Sequence, residues 1–218
     1  ALNGITVSSI LSRTPDKAED LANRFNIASC HKSIEEFLKD DLDGIVIAVS
    51  ADEILNVSKQ LMHLGVPLLI EKPPGINLKE AKELKDLSRK FNTPNMVGLN
   101  RRFMSHFHSG IEIIENHGGL LGIFIEGHER IWKVKDTKEI KNWIYANSIH
   151  TIDLLRLFGG EPLKSYSLSS SSEGVGRDQF SASFMFKNNV IGSYISHWRS
   201  PGSWAVNLFG EGVTVIVG

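Results

Sequence analysis

From residue 5 to residue 99, short aliphatic runs alternate with amphipathic stretches, the pattern of βα units built around a parallel sheet. ITVSSIL (5 to 11), GIVIAV (44 to 49), VPLLI (66 to 70) and NMVGL (95 to 99) are nearly continuous in apolar residues and read as strands buried on both faces. The stretches between them carry helix signals. Thr14 stands as a cap before Pro15, with Asp16 and Glu19 in the first turn and Ala18, Leu21, Ala22 and Phe25 on one face. Ser33 and Glu36 have capping-box spacing. Ile54, Val57, Leu61 and Leu64 mark a helix over 53 to 64 that stops at Gly65, and Asn77 opens a longer one through Ala81, Leu84, Leu87 and Phe91, ending before Pro94.

After about residue 100 the pattern changes. Helices are predicted at about 104 to 116 and 148 to 158, the second closed by Gly159 and Gly160. Around them lie runs of strand character at 120 to 131, 163 to 170, 179 to 186, 190 to 198 and 204 to 209. The pattern therefore predicts an α/β chain: a parallel sheet over 1–100, then an α+β domain with a mostly antiparallel sheet over 101–218. SSSSEGVG (169 to 176) reads as a polar loop.

With 218 residues, 41% of them hydrophobic, the chain can bury a core and form one large domain or two modest ones. Its 24 basic and 25 acidic residues nearly cancel, so neither a nucleic acid nor a membrane surface is expected as a partner. Cys30 is alone, which excludes an internal disulfide framework and fits a reducing compartment. No apolar stretch approaches the roughly 20 residues that span a bilayer, and a cytoplasmic location is the expectation. The chain opens without methionine and stops at GVTVIVG with an apolar run in progress, so the sequence is expected to be part of a longer one. The two histidines of HFH (106 to 108) would point in different directions on a helix, and no metal site is expected.

Ligands of open parallel sheets collect beyond the carboxyl ends of the strands, where LLIEKPPG (68 to 75) places Glu71 and Lys72. Pro73 holds the Lys72 backbone extended, and Pro74 and Gly75 stiffen and turn the chain beyond it. Lys72 is thus either half of an ordinary surface pair with Glu71 or a cation aimed at a ligand. His150, near the start of its predicted helix, is either a half-buried packing residue or an acid-base group. His197, Trp198 and Arg199 in HWRSPGSW line a pocket or lie on the sheet surface.

IEKPPG, the following GLNRRF (98 to 103) and SIHTIDLLRLFGG (148 to 160), in this order and at these separations, resemble the Gfo/Idh/MocA family of NAD(P)-dependent oxidoreductases. The resemblance covers nearly the whole chain, starting from the family's second Rossmann strand. No GxGxxG precedes a helix here, so the resemblance implies that the first strand, the glycine turn and the first helix lie outside the sequence, the alternative being a protein that has lost its phosphate cradle, and that the second domain is incomplete at its C-terminus. The implied activity is hydride transfer between a nicotinamide and a hydroxyl or carbonyl of a sugar, polyol or related small molecule. The alternative is a non-catalytic dinucleotide- or sugar-binding sensor or scaffold. A homo-oligomer formed through the open sheet is implied as well.

The resemblance makes Lys72 and His150 the catalytic pair, which with Asp153 contacts substrate. Asp153 could equally serve its helix or contact Arg156. Ser12, Arg13, Thr14, Val49, Ser50, Glu71, Lys72, Pro73, Asn100 and Arg101 become the cofactor-binding set, while Arg102 and Phe103 anchor the domain junction. Ser12, Arg13 and Thr14 stand where NAD-specific domains carry an acidic residue, so NADP is expected in preference to NAD. The Lys72–Pro73 peptide is expected to be cis. Many relatives have an aspartate four residues before the histidine; here that position is Ala146, and catalysis is expected to be weaker unless Asn147, Ser148 or Asp153 supplies a partner for the ring.

Overall fold

The strands of the described residues, 4–134, 143–172 and 176–218, form three sheets in this computed structural model. The chain divides into two units, Ala1–Ile45 and Val46–Gly218.

In the first unit β1 (Ser9–Leu11) pairs in parallel with β2 (Ser29–His31), and α1 (Pro15–Phe25) connects them. Thr14 is extended before Pro15, and the helix ends on Asn26 at φ 54°, a left-handed conformation that asparagine tolerates. Ser33 caps α2 (Ile34–Phe37): its Oγ accepts from the Glu36 N–H at 3.2 Å, and the Glu36 carboxylate reaches back to the Lys32 N–H at 3.1 Å. Asp40 bonds both Ser9 and His31, joining the two strands to the segment after α2. Two expectations are corrected here. β2 is a strand that the hydrophobic pattern does not predict, because SCH carries no aliphatic run. The apolar face of α1 is narrower than its spacing suggests: Ala18 and Ala22 are buried, but Leu21 and Phe25 are 39% and 62% exposed, since two short strands offer little surface to cover them.

In the second unit β3 (Ile45–Ile47), β4 (Leu68–Ile70) and β5 (Asn95–Val97) form a sheet in that order, with β4 and β5 parallel. The helices α3 (Ile54–Leu61) and α4 (Leu78–Phe91) alternate with these strands. Ile45, Ile47, Leu68 and Ile70 are buried, whereas Val46 and Leu69 are 69% and 43% exposed. The strands are therefore buried on one face and not on both, because side chains alternate across the sheet and only one face is covered.

The third sheet has the order β11-β10-β6-β9-β8-β7 and comprises β6 (Gly122–Gly127), β7 (Pro162–Ser172), β8 (Gly176–Phe186), β9 (Ile191–His197), β10 (Trp204–Gly210) and β11 (Val213–Val217). Its pairings are antiparallel apart from β6 with β9. One face packs against α5 (Ser105–Glu115) and α7 (Ile149–Gly159), with the short α6 (Trp143–Ala146) just before α7. Phe107 and Ile114 of α5 and Leu154 and Leu155 of α7 meet Ile123, Ile125, Tyr194, Val206 and Leu208 in a single core. The polar-loop expectation is corrected for Ser169 to Ser172, which continue β7 in register with β8. An edge strand forms through backbone bonds and needs no apolar side chains to do so. Residues 173–175 lie outside the described residues.

Phe186 wedges between α7 and β9: a Cβ placed on Gly159 or Gly192 would stand 2.7 Å from its ring. Gly192→Ala is expected to lower stability by roughly 1–3 kcal/mol through overpacking. Gly122→Ala, whose Cβ would meet its neighbour at an ordinary 3.4 Å, should change it by less than about 0.5 kcal/mol. Urea denaturation of the two variants checks this difference.

Candidate active site

β4 ends between two neighbours: the Glu71 N–H donates to the Ile47 carbonyl and the Gly98 N–H to the Ile70 carbonyl, each at 2.8 Å. The next peptide, Lys72–Pro73, is cis, as expected. Pro73 is fully buried and Lys72 half-buried. Gly75 lets the chain pass close to α4, since a Cβ there would lie 2.8 Å from the Ala81 nitrogen. Held in this way, Lys72 Nζ donates to the Ala146 carbonyl oxygen at 2.6 Å. The bond crosses from the end of a parallel strand to the turn that opens α7.

That turn is fixed by its own backbone. The Asn147 and Ser148 N–H groups both donate to the Trp143 carbonyl, at 2.8 and 3.1 Å, and the His150 N–H donates to the Asn147 carbonyl at 3.1 Å. His150 is buried, and its Nδ1 has no hydrogen-bond partner among the described residues. Its pKa is lowered to about 4, first by burial and then by the positive charges of Arg101 and Lys72, with Asp153 opposing. The imidazole is therefore neutral at pH 7, able to accept a proton but held back from keeping it.

Asp153 faces Arg102, whose Nε and Nη2 donate to its two carboxylate oxygens at 2.6 Å each, a planar bidentate pair. That bond raises the Arg102 pKa and ties the short turn Asn100–Phe103 to α7; the expectation for Arg102, with Phe103, is to anchor a domain junction. Phe103, paired with it in that expectation, is 68% exposed. Arg156 bonds Glu161 and not Asp153. Asn147 and Ser148 also turn away from the histidine: Asn147 Nδ2 donates to Glu129 Oε2 at 2.7 Å, and Ser148 Oγ lies 3.4 Å from Glu129 Oε1. Among the described residues, none of the three candidate partners supplies a hydrogen bond to Nδ1 of the His150 ring.

Glu129 is a buried acid beside this group that the sequence reading missed. It is 7% exposed, and burial pushes its carboxyl pKa up while the Asn147 bond and the charge of Arg101 pull it down. Arg101 lies over the Trp204 ring at 3.8 Å. A cavity of about 510 Å³ opens beside this group, lined by His128, Glu129, Lys133, Trp143 and Trp204 among others. A signal for Glu129 existed: in GIFIEGHE the period of two places Ile123, Ile125, Gly127 and Glu129 on one face, so an acid falls on the buried side of a strand run.

Lys72, Arg101 and His150 thus share one electrostatic neighbourhood, with Asp153 beside them. Asn100 is exposed at the start of its turn, Glu71 is exposed beside Lys72, and Val49 and Ser50 come after the carboxyl end of β3. Ser12, Arg13 and Thr14 come after β1 in the first unit, where Ser12 Oγ accepts from the Thr14 N–H at 3.1 Å. Of the HWRSPGSW residues, Trp198 is buried, His197 stacks on His128 at 5.4 Å and Arg199 is exposed.

The family model described as "Oxidoreductase family, NAD-binding Rossmann fold", Gfo/Idh/MocA, matches residues 2–99, and this part of the chain is similar to that family. Oxidoreductase P35 of Formosa agariphila is 25% identical over 218 residues, which covers 93% of this chain and 65% of the relative. Trans-1,2-dihydrobenzene-1,2-diol dehydrogenase of Xenopus tropicalis is 33% identical over 102 residues, 46% of this chain and 30% of its own. The chain thus spans less than two thirds of the length of these relatives. An oxidoreductase from Agrobacterium radiobacter, solved in complex with NAD+, L-tartaric acid and magnesium, superposes with a TM-score of 0.82 over 99% of this chain and 68% of its own, at 16% identity; this likeness is one of fold.

The depressed histidine pKa has a testable sign. Above pH 6.5 neither state protonates His150; below it the unfolded chain takes up a proton that the folded chain refuses until about pH 4. His150 therefore removes stability progressively as pH falls through that window, and His150→Asn should flatten the corresponding slope. NMR titration of the ring is expected to give a midpoint near 4, and a midpoint of 6 or above would contradict the described environment.

Proposed function

We propose that the protein is an NAD(P)-dependent oxidoreductase, moving a hydride between a nicotinamide and a hydroxyl or carbonyl of a sugar, polyol or related small molecule. The observation that carries this reading is the Lys72 to Ala146 bond, which holds an ammonium at the carboxyl end of a parallel strand and in the electrostatic neighbourhood of a buried neutral histidine. The names of the relatives, a diol dehydrogenase among them, support the reaction class and the substrate type.

The donor set suits a dinucleotide. Hydroxyl and cationic groups stand after the strand ends at Ser12, Arg13, Thr14, Ser50 and Lys72, and no acidic residue directly follows β1 to repel a 2′-phosphate. Arg13 offers a planar fork to such a phosphate, so NADP is the cofactor of the proposal and NAD the alternative. The bound nicotinamide supplies or accepts the hydride. Lys72 stabilises negative charge on the substrate oxygen, and His150, being neutral, takes the hydroxyl proton during oxidation and returns it during reduction. Asp153 holds the helix that carries His150 through Arg102 and lies near enough to shape the substrate side of the site.

A second reading has a specific observation behind it. With Ala146 in place of an aspartate and no hydrogen bond at His150 Nδ1 among the described residues, the acid-base group has no orienting partner there, which suits slow turnover or a binding protein that has lost the reaction. No helix of the described residues is long and apolar enough to cross a membrane. A cytoplasmic homo-oligomer is part of the proposal; the exposed Ile191 and Ile216 of β9 and β11 are apolar surface that a second copy could cover.

The intact protein, assayed with NADPH, NADH, NADP and NAD against a polyol and sugar panel, is expected to turn over at least one member with an NADP preference. Lys72→Ala should reduce kcat by roughly 100-fold or more. Unchanged turnover in that variant removes Lys72 from the chemistry, and tight dinucleotide binding without turnover selects the second reading. Arg13→Ala is expected to weaken NADP about tenfold while sparing NAD, by the loss of one charge-assisted contact. Equal binding of the two cofactors by the parent, unaffected by the variant, would overturn the preference.

A further inference from the structure

Glu129 has no place in the reaction proposed above, yet its carboxylate is buried and fully engaged. Of the other buried carboxylates among the described residues, Asp153 is held by Arg102 and Asp178 accepts from the Ser172 N–H. Glu129 instead joins the six-stranded sheet to the α6–α7 turn. Its N–H donates to the His197 carbonyl at 3.1 Å, which fixes it to the end of β9, and its two oxygens face Asn147 Nδ2 and Ser148 Oγ at 2.7 and 3.4 Å.

We propose that Glu129 is a positioning residue for Lys72, holding the turn that presents the Ala146 carbonyl to the lysine ammonium. The inference rests on the reading of Lys72 as the active-site cation. Because residue 146 is alanine, the acceptor for Lys72 is a main-chain oxygen, whose direction is set by the backbone of the turn and not by a side-chain rotamer. Whatever holds residues 147 and 148 therefore aims the bond. The other hydrogen bonds that these residues make among the described ones are local: the two N–H bonds to Trp143, the His150 N–H to the Asn147 carbonyl, and the Thr151 and Ile152 N–H groups and the Thr151 hydroxyl to the Ser148 carbonyl. Glu129 is, among the described residues, the side chain that brings the position of the sheet to bear on both. A carboxylate suits the task because each oxygen can accept from one donor; burial raises its pKa, and the hydrogen bonds and then the charge of Arg101 oppose that rise. A carboxylate placed just beyond β6 thus supports from behind a turn that carries none at residue 146.

The test reads the lysine directly. In the intact protein, the rate of Lys72 acetylation by an amine-reactive ester is followed by peptide mass spectrometry, with the exposed Lys79 as internal reference. Asn147→Asp sets carboxylate against carboxylate and should raise the relative rate of Lys72 about fivefold, as loss of one hydrogen bond allows. Adding Glu129→Gln restores an amide facing a carboxylate with the roles exchanged, and should bring the rate back to within about twofold of the parent. Glu129→Ala, which removes the anchor without adding charge, should raise the rate as Asn147→Asp does, and it decides the matter if Asn147→Asp fails to fold. An unchanged rate in both single variants, or a double variant as reactive as Asn147→Asp alone, overturns the proposal. Acetylation does not depend on turnover, so a failed Lys72→Ala assay counts against the reaction alone and a failed acetylation test against Glu129 alone.

Discussion

An ammonium group withdrawn from water must keep its donors satisfied, and the way Lys72 meets that requirement organises the rest of the site. Its bond to the Ala146 carbonyl joins the end of β4 to the turn before α7. Arg102 repeats the connection a few residues beyond β5, reaching Asp153 on the same helix. Two cations from successive strand ends thus grip one helical segment, the first through a backbone oxygen and the second through a carboxylate. Losing either acceptor would leave a partly buried charge unpaired, which costs more than the bond itself contributes.

The same cations set the state of His150. Burial alone favours the neutral ring, and Arg101 and Lys72 add to it, while Asp153, already paired with Arg102, only partly opposes them. The site is therefore rich in positive charge around a base that cannot easily acquire its own. Such a field favours negative charge on a substrate oxygen, as the proposed hydride transfer, to a carbonyl carbon or from a hydroxyl-bearing one, requires. Without a carboxylate at residue 146, the proton on the imidazole is poorly held, which favours rapid return over storage.

The fold was largely legible because its strongest signals are local. The aliphatic runs GIVIAV and VPLLI, the capping residues Ser33 and Asn77, and the helix around His150 all formed where the pattern placed them. What escaped were features fixed by neighbours distant in sequence. The strand SCH exists because Leu11 and its neighbours offer an edge, and the serines of β7 extend because β8 pairs with them. Motif spacing pointed to Lys72 and His150, and the charge of Lys72 is, after burial and Arg101, one of the causes that lower the His150 pKa. Glu129 escaped because its meaning lies in two residues almost twenty positions away, although the alternation along β6 already turned it inward.

The central claim is that Lys72 and His150 serve one reacting oxygen. A crystal structure of the intact protein with a nicotinamide cofactor and a substrate analogue tests it most directly. One substrate oxygen is expected within hydrogen-bond reach, roughly 2.6–3.2 Å, of both Lys72 Nζ and a ring nitrogen of His150. A substrate whose reacting oxygen meets neither group would contradict it.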